Sequence, residues 1–262
     1  MNTATTIGGN GAVGVLGLRE GRRILRHPVT VVLLGYFVVL GIVTVAGADV
    51  GAGTAVHHVL LFVGLMGFGP ATFFAANLVA SSARRADAES QLAAAPTGAS
   101  QRTFAVCLGV LAPTAGAVGF AVVVWLVEHS GVELDRVLSP AELAAIPLCA
   151  LGGGLLGVTV ARWLPWRGMP LVVMFALIAW VVAVMDRGAW WWLAPWTMSP
   201  SYYGNDAMGA GSHAWHAVYL FGLGALAAIA ALLRHPEHRR VLLALGALGW
   251  VLTLAAAWAQ LP

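Results

Sequence analysis

His213 and His216 stand three residues apart, a spacing that puts both imidazoles on one face of a helix and that metal sites can use. Three more histidines, His57, His58 and His129, fall at the same predicted end of the chain's apolar runs. No cysteine or carboxylate motif stands beside the pair, so they read as interfacial histidines. The expectation is no metal and no cofactor in this chain, with His213 and His216 the candidates if a metal binds at all. All 14 basic residues are arginine. Without lysine the chain cannot build a P-loop against nucleotide phosphates or a Schiff base with retinal or pyridoxal. Every serine lies in a loop or at the boundary of an apolar run, which leaves a serine intramembrane protease unsupported. No Asp, Glu, Arg or His sits deep within a run, an absence that argues against a proton-driven antiporter and a charged-ring channel. No catalytic residue is expected, and nothing points to nucleic acid. If the chain moves a substrate, another subunit must supply the energy.

Composition dictates the elements that hold these residues. The chain of 262 residues is 60% hydrophobic and 10% charged, far from a soluble globular balance. Seven runs, about 28–48, 57–80, 102–127, 141–161, 168–185, 214–233 and 241–260, each approach the ~20 apolar residues that a membrane helix needs. The fold class expected is therefore all-α: one polytopic bundle of six to seven spans over residues 1–262, with no separate soluble domain. Cys107 and Cys149 fall in different runs, about 9 Å apart in depth, beyond disulfide reach. With the N-terminus placed inside, twelve arginines lie inside and only Arg136 and Arg187 outside, a strong positive-inside bias. Nine of the eleven tryptophans then sit near a predicted interface. The expected location is the inner (plasma) membrane of a bacterium, multi-pass, with a cytoplasmic N-terminus. Ala46-Gly47-Ala48 resembles a signal-peptidase site, but Pro28–Val45 is longer than the usual apolar core of a signal peptide, and an uncleaved span is expected.

Residues 1–12 read as a disordered tail. Over residues 13–27, Arg19, Arg22, Arg23 and Arg26 share one helical face, with Val15, Leu18 and Leu25 opposite and Glu20 placed to pair with Arg23. That pattern predicts an amphipathic helix in the membrane interface, in contact with lipid. Pro28 suits the first position of the next helix. Between the second and third runs, residues 83–95 predict a short helix carrying Arg84, Arg85 and Glu89, capped by Ser81 or Ser82 and stopped at Pro96. Ala88, Leu92 and Ala95 line one side of it, a pattern suited to a partner's groove or, alternatively, to a solvated linker. Ser100 is placed to cap the third run. Pro70, Pro113 and Pro147 predict kinks, and Gly153-x-x-x-Gly157 offers a close-packing face for internal packing or dimerisation. Residues 186–213 carry Trp190, Trp191, Trp192, Trp196, Tyr202 and Tyr203, too many aromatics for a solvated loop; they read as an anchor in the outer interface or as an outer gate.

This order of features resembles the type-two ABC transporter permeases. The likeness rests on Leu18–Pro28, two spans, the loop Arg84-Arg85…Glu89-Ser90-Gln91-Leu92-Ala93-Ala94-Ala95-Pro96, Arg102 opening the next span, and the aromatic segment. It covers most of residues 13–233 in layout. It implies the membrane half of an ATP-driven exporter for a hydrophobic or amphipathic substrate. Its partners would be a separate ATPase subunit, which holds ATP and Mg, and a second permease copy or paralogue. Loop 83–95 would be the coupling helix, with Arg84, Arg85, Glu89, Leu92 and Pro96 in the contact. The family usually has six spans, whereas residues 241–260 predict a seventh. The alternative is a membrane-embedded accessory or enzyme subunit that binds metal, haem or lipid at its outer face.

Overall fold

A computed structural model describes residues 5–46, 52–88, 97–131, 134, 137–184, 187–195 and 211–261. Every regular element among them is helical: α1 (Thr5–Leu25), α2 (Pro28–Val45), α3 (Ala52–Phe62), a π-turn (Val63–Gly67), α4 (Phe68–Ala80), α5 (Ser82–Arg85), α6 (Ala99–Gly109), α7 (Leu111–Glu128), α8 (Pro140–Leu143), α9 (Ala145–Trp163), α10 (Met169–Val184), a 3-10 turn (Gly188–Leu193), α11 (His213–Leu233) and α12 (Arg239–Ala259). Each of the seven apolar runs is thus a helix, and length separates them. Five stretches are long and apolar enough to cross a membrane: Thr54–Ala80, Ala99–Glu128, Pro140–Trp163, His213–Leu233 and Arg239–Ala259. Helices α1 and α2 meet at 44° and make a sixth if counted together, while α10 is apolar but shorter. The protein is an all-α bundle of membrane type.

The prolines act where their chemistry requires. Proline removes the hydrogen bond to the carbonyl four residues back and clashes with it. Four residues before Pro113 is Gly109, where α6 ends and α7 takes over. Four before Pro147 is Leu143, the end of α8. Four before Pro70 is Met66, inside the π-turn that widens the helix before α4. Pro28 opens α2 as expected, and His27 Nδ1 caps it by accepting from Val29 N at 3.3 Å.

The centre is α4 against α9, packed through small residues. Side chains gain little from leaving lipid for a protein interior, so close backbone approach and polar bonds must hold such helices together. A Cβ on Gly153 would meet Gly69 O at 2.3 Å, and one on Gly157 would meet Phe73 O at 2.2 Å. The Gly153-x-x-x-Gly157 face therefore serves internal packing. Two bonds lock it: Thr72 Oγ1 donates to Ala150 O at 2.8 Å, and Asn77 Nδ2 donates to Gly157 O at 3.1 Å. Helix α11 lies on the other flank of α9, and α12 packs on α11, where Gly222 receives Thr253. Cys107 and Cys149 are buried, unbridged and in separate apolar clusters.

Several expectations change. The N-terminal helix begins at Thr5, inside the segment read as a disordered tail, and ends at Leu25. Its glycines lower helix propensity, but Gly17 and Gly21 seat it on Leu108, Gly109 and Ala112, and tertiary packing overrides propensity. In the 82–98 loop, α5 spans only Ser82–Arg85, and Asp87 takes the left-handed φ of 52°, which breaks a helix. Glu89, Leu92 and Pro96 lie outside the described residues. Ser81 and Ser82 do not cap α5: their hydroxyls donate back to Asn77 O at 2.6 Å and Val79 O at 2.8 Å. Gly98, not Ser100, opens α6, its N–H donating to Gln101 Oε1 at 3.1 Å.

Candidate functional site

Polar side chains collect at the two ends of the bundle. At one end, the C-termini of α1, α9 and α11, the short α5 and the N-terminus of α6 converge. Each contributes arginine because each is a helix tip leaving an apolar run. The convergence encloses a cavity of ≈ 940 Å³ whose lining includes Arg19, Arg23, Arg84, Arg102, Arg162 and Arg234, with Glu20 and His235. On the other side of α1 a second hollow of ≈ 1070 Å³ is lined by Arg19, Arg22, Arg23, Arg26 and Arg85 among others. The predicted interfacial residues Arg19, Glu20, Arg22, Arg23 and Arg26 are therefore brought together with Arg84 and Arg85 of the loop, although α1 and α5 are far apart in sequence. Arg23 Nη1 bonds Glu20 Oε2 at 2.7 Å, the pairing that the spacing predicts, and Arg23 Nη2 donates to Ser82 Oγ at 3.2 Å. Arg84 Nη2 donates to Ala161 O at 2.7 Å, which ties α5 to α9.

The field here is positive. His235 Nε2 meets Thr103 Oγ1 at 2.9 Å. Burial holds its pKa below the usual imidazole value, and Arg162, Arg234 and Arg102 push the same way against Glu237. Burial and Arg167 likewise lower Arg85 from its usual value. Arg234 lies over the Trp163 ring at 5.9 Å, and Trp163 Nε1 donates to Ala230 O at 2.7 Å. Val15, Leu18 and Leu25 of α1 are exposed, and Val15 and Leu18 line the second hollow together with the arginines of α1.

At the opposite end the histidines are partnered one by one. His57 Nε2 meets Glu128 Oε1 at 2.8 Å with both side chains buried, and the same oxygen accepts from Leu138 N at 3.2 Å. Ser139 N and Oγ both donate to Glu142 Oε2 at 2.8 Å, and Glu142 Oε1 faces His213 Nε2 at 3.5 Å. The ring of Trp192, fully buried, lies against both His213 and His216, with centroids at 5.2 and 5.6 Å. His216 Nδ1 meets Gln260 Oε1 at 2.9 Å, and Tyr219 OH donates to Leu193 O at 3.0 Å. These contacts form a polar seam under the 3-10 turn. Trp191 and Trp192 are buried in the bundle, not laid in an interface, while Trp190 is exposed. Trp196, Tyr202 and Tyr203 lie outside the described residues. His213 and His216 do not converge on a shared ligand, and the described residues contain no group of three or more His, Cys, Asp or Glu able to hold a metal.

Sequence reasoning missed Arg162, Arg234 and His235 as cavity residues, and Glu128, Glu142 and Gln260 as buried partners. All six lie within a turn or so of a helix end, so projecting the ends of the runs onto a common plane would have found the arginines. No spacing rule links His57 to Glu128, 71 residues on. Neither a protein-family model, nor a curated protein, nor a solved structure matches the chain.

Proposed function

We propose that the chain is the membrane-spanning permease subunit of an ATP-driven exporter, set in a bacterial inner membrane with its arginine end in the cytoplasm. The substrate is hydrophobic or amphipathic, and a separate subunit binds ATP and Mg. One observation carries the reading: α1 and α5 are joined at the arginine end by the bond from Arg23 to Ser82, across 59 residues. A partner that presses on the 82–98 loop thereby moves α1, α4 and, through Arg84, the end of α9. The positive-inside rule puts this end in the cytoplasm, where an ATPase subunit would meet it. The buried ionisable pairs stay at the far end, within a turn or so of helix ends, so no relay of charged groups runs through the described bundle to serve ion coupling.

The test uses Leu92. In wild type, a tagged chain solubilised from its native membrane should bring down an ATPase whose turnover responds to substrate. Leu92→Arg would force a charge into the contact, and both capture and stimulation should fall at least tenfold while the chain still inserts. Unchanged capture and turnover would reduce the loop to a solvated linker and sink the reading. A second reading is an accessory or enzyme subunit that binds a group at the histidine end. The observation behind it is that His213 and His216 both lie against the buried Trp192 ring, and a stoichiometric metal or a haem band in the purified protein would support it.

A further inference from the structure

We infer that the smaller arginine cavity is a binding site for the phosphate of an anionic membrane lipid. Its lining is amphipathic in the manner of such a ligand. Six arginines and one carboxylate, Glu20, line it among the described residues. Arg23 engages Glu20, Arg84 donates to Ala161 O, and Arg19 and Arg234 are exposed with no hydrogen bond or ion pair among the described residues. Beneath them the wall is apolar, formed by Leu16, Val79, Ala80, Ala105 and Val106. A planar guanidinium pairs two of its N–H groups with two oxygens of one phosphate, and several converging from different helices fit a phosphodiester better than a point cation would. The volume of ≈ 940 Å³ falls in the range of sites for whole small ligands and exceeds what a bare ion needs.

Depth separates a lipid from a soluble phosphate. Trp163 lines the cavity and is half exposed, and nearby Trp166 is exposed at 76%. Indoles of this kind lie at the headgroup level of a bilayer. On the neighbouring hollow α1 also exposes apolar side chains, Val15 and Leu18. His235 on the same lining has its pKa lowered first by burial and then by Arg162, Arg234 and Arg102, against Glu237. The site needs no ATPase partner, so it stands or falls apart from the transport reading.

The test is thermal denaturation of the full chain in neutral detergent with three added probes: dioctanoyl phosphatidylglycerol, dioctanoyl phosphatidylcholine and inorganic phosphate. Phosphatidylglycerol should raise the Tm saturably and the other two should not. The variant Arg19→Gln/Arg234→Gln removes two exposed guanidiniums that make no hydrogen bond among the described residues, Arg234 lying only over the Trp163 ring, and its half-saturating lipid concentration should rise at least tenfold. Arg240→Gln, exposed at the same end but outside the lining, should behave as wild type. Native mass spectrometry of wild type should retain phosphatidylglycerol over phosphatidylcholine, a readout that does not depend on the variants folding. Equal protection by phosphatidylcholine, or no loss in the double variant, would overturn the site. Equal protection by inorganic phosphate would overturn the lipid as its occupant.

Discussion

Glu128 shows how one side chain can hold a helix end that sequence statistics would leave free. Its carboxylate takes His57 from α3 and the backbone of Leu138 beyond α7, and all of this is buried. A hydrogen bond to a charged group contributes about 1.5–3 kcal/mol, and a buried partner left alone adds its own desolvation cost. Glu128→Ala should therefore lower the Tm in detergent clearly, and Glu128→Gln, which keeps an acceptor oxygen, should lose less. His235 gives a pH prediction at the same scale. Its pKa is lower in the folded protein than in the unfolded chain, so the unfolded chain binds the proton more readily. The stability tied to this group is complete above the unfolded value of about 6.5 and is lost as pH falls through the folded value. Melting followed from about pH 8 to pH 5 should show a steeper acid-side decline in wild type than in His235→Asn. A decline of equal slope in both would place the sensitivity elsewhere.

Among the elements, glycines decide which helices touch. At Gly157 any Cβ runs into the Phe73 carbonyl, and backbone cannot swing aside as a side chain can. Gly157→Ala should cost about 1–3 kcal/mol by overpacking. Gly119, on the open face of α7, meets nothing within 4 Å. Gly119→Ala should gain up to about 1 kcal/mol from helix propensity. Opposite signs for two identical substitutions, read by denaturation in the same detergent, would check the packing directly. The elements were largely legible in the sequence because apolar run length, proline position and charge at run ends each act locally. The Gly153–Gly157 face was legible for the same reason. What escaped was non-local or below the reach of propensity: α1 starting at Thr5 depends on Gly17 and Gly21 meeting α6 and α7, and α5 stops short where Asp87 turns left-handed. The cavity arginines were each visible as residues, but their convergence depends on helix ends that only the folded bundle aligns.

At the scale of the whole molecule, α12 is the last of the five stretches long and apolar enough to cross a membrane, lying beyond the part of the chain whose layout resembles a permease. It is a helix of membrane-crossing length that packs on α11 and leaves most of its surface open. Reporter fusions after Arg240 and after Pro262 should register opposite compartments. One compartment for both would make α12 a surface helix and remove it from the spans.

The polar seam at the histidine end also bears on how the protein is made. His57 precedes Glu128 by 71 residues, and His216 precedes Gln260 by 44. At ~5–20 residues per second, a ribosome supplies Glu128 about 4–14 s after His57. For those seconds the earlier histidine must stay hydrated, since a lone polar group in hydrocarbon is costly. The pairing of His57 therefore has to wait for the end of α7. The histidine end stays wet until α12 arrives, and biosynthesis, as much as the finished fold, confines these polar groups to helix ends that water can reach.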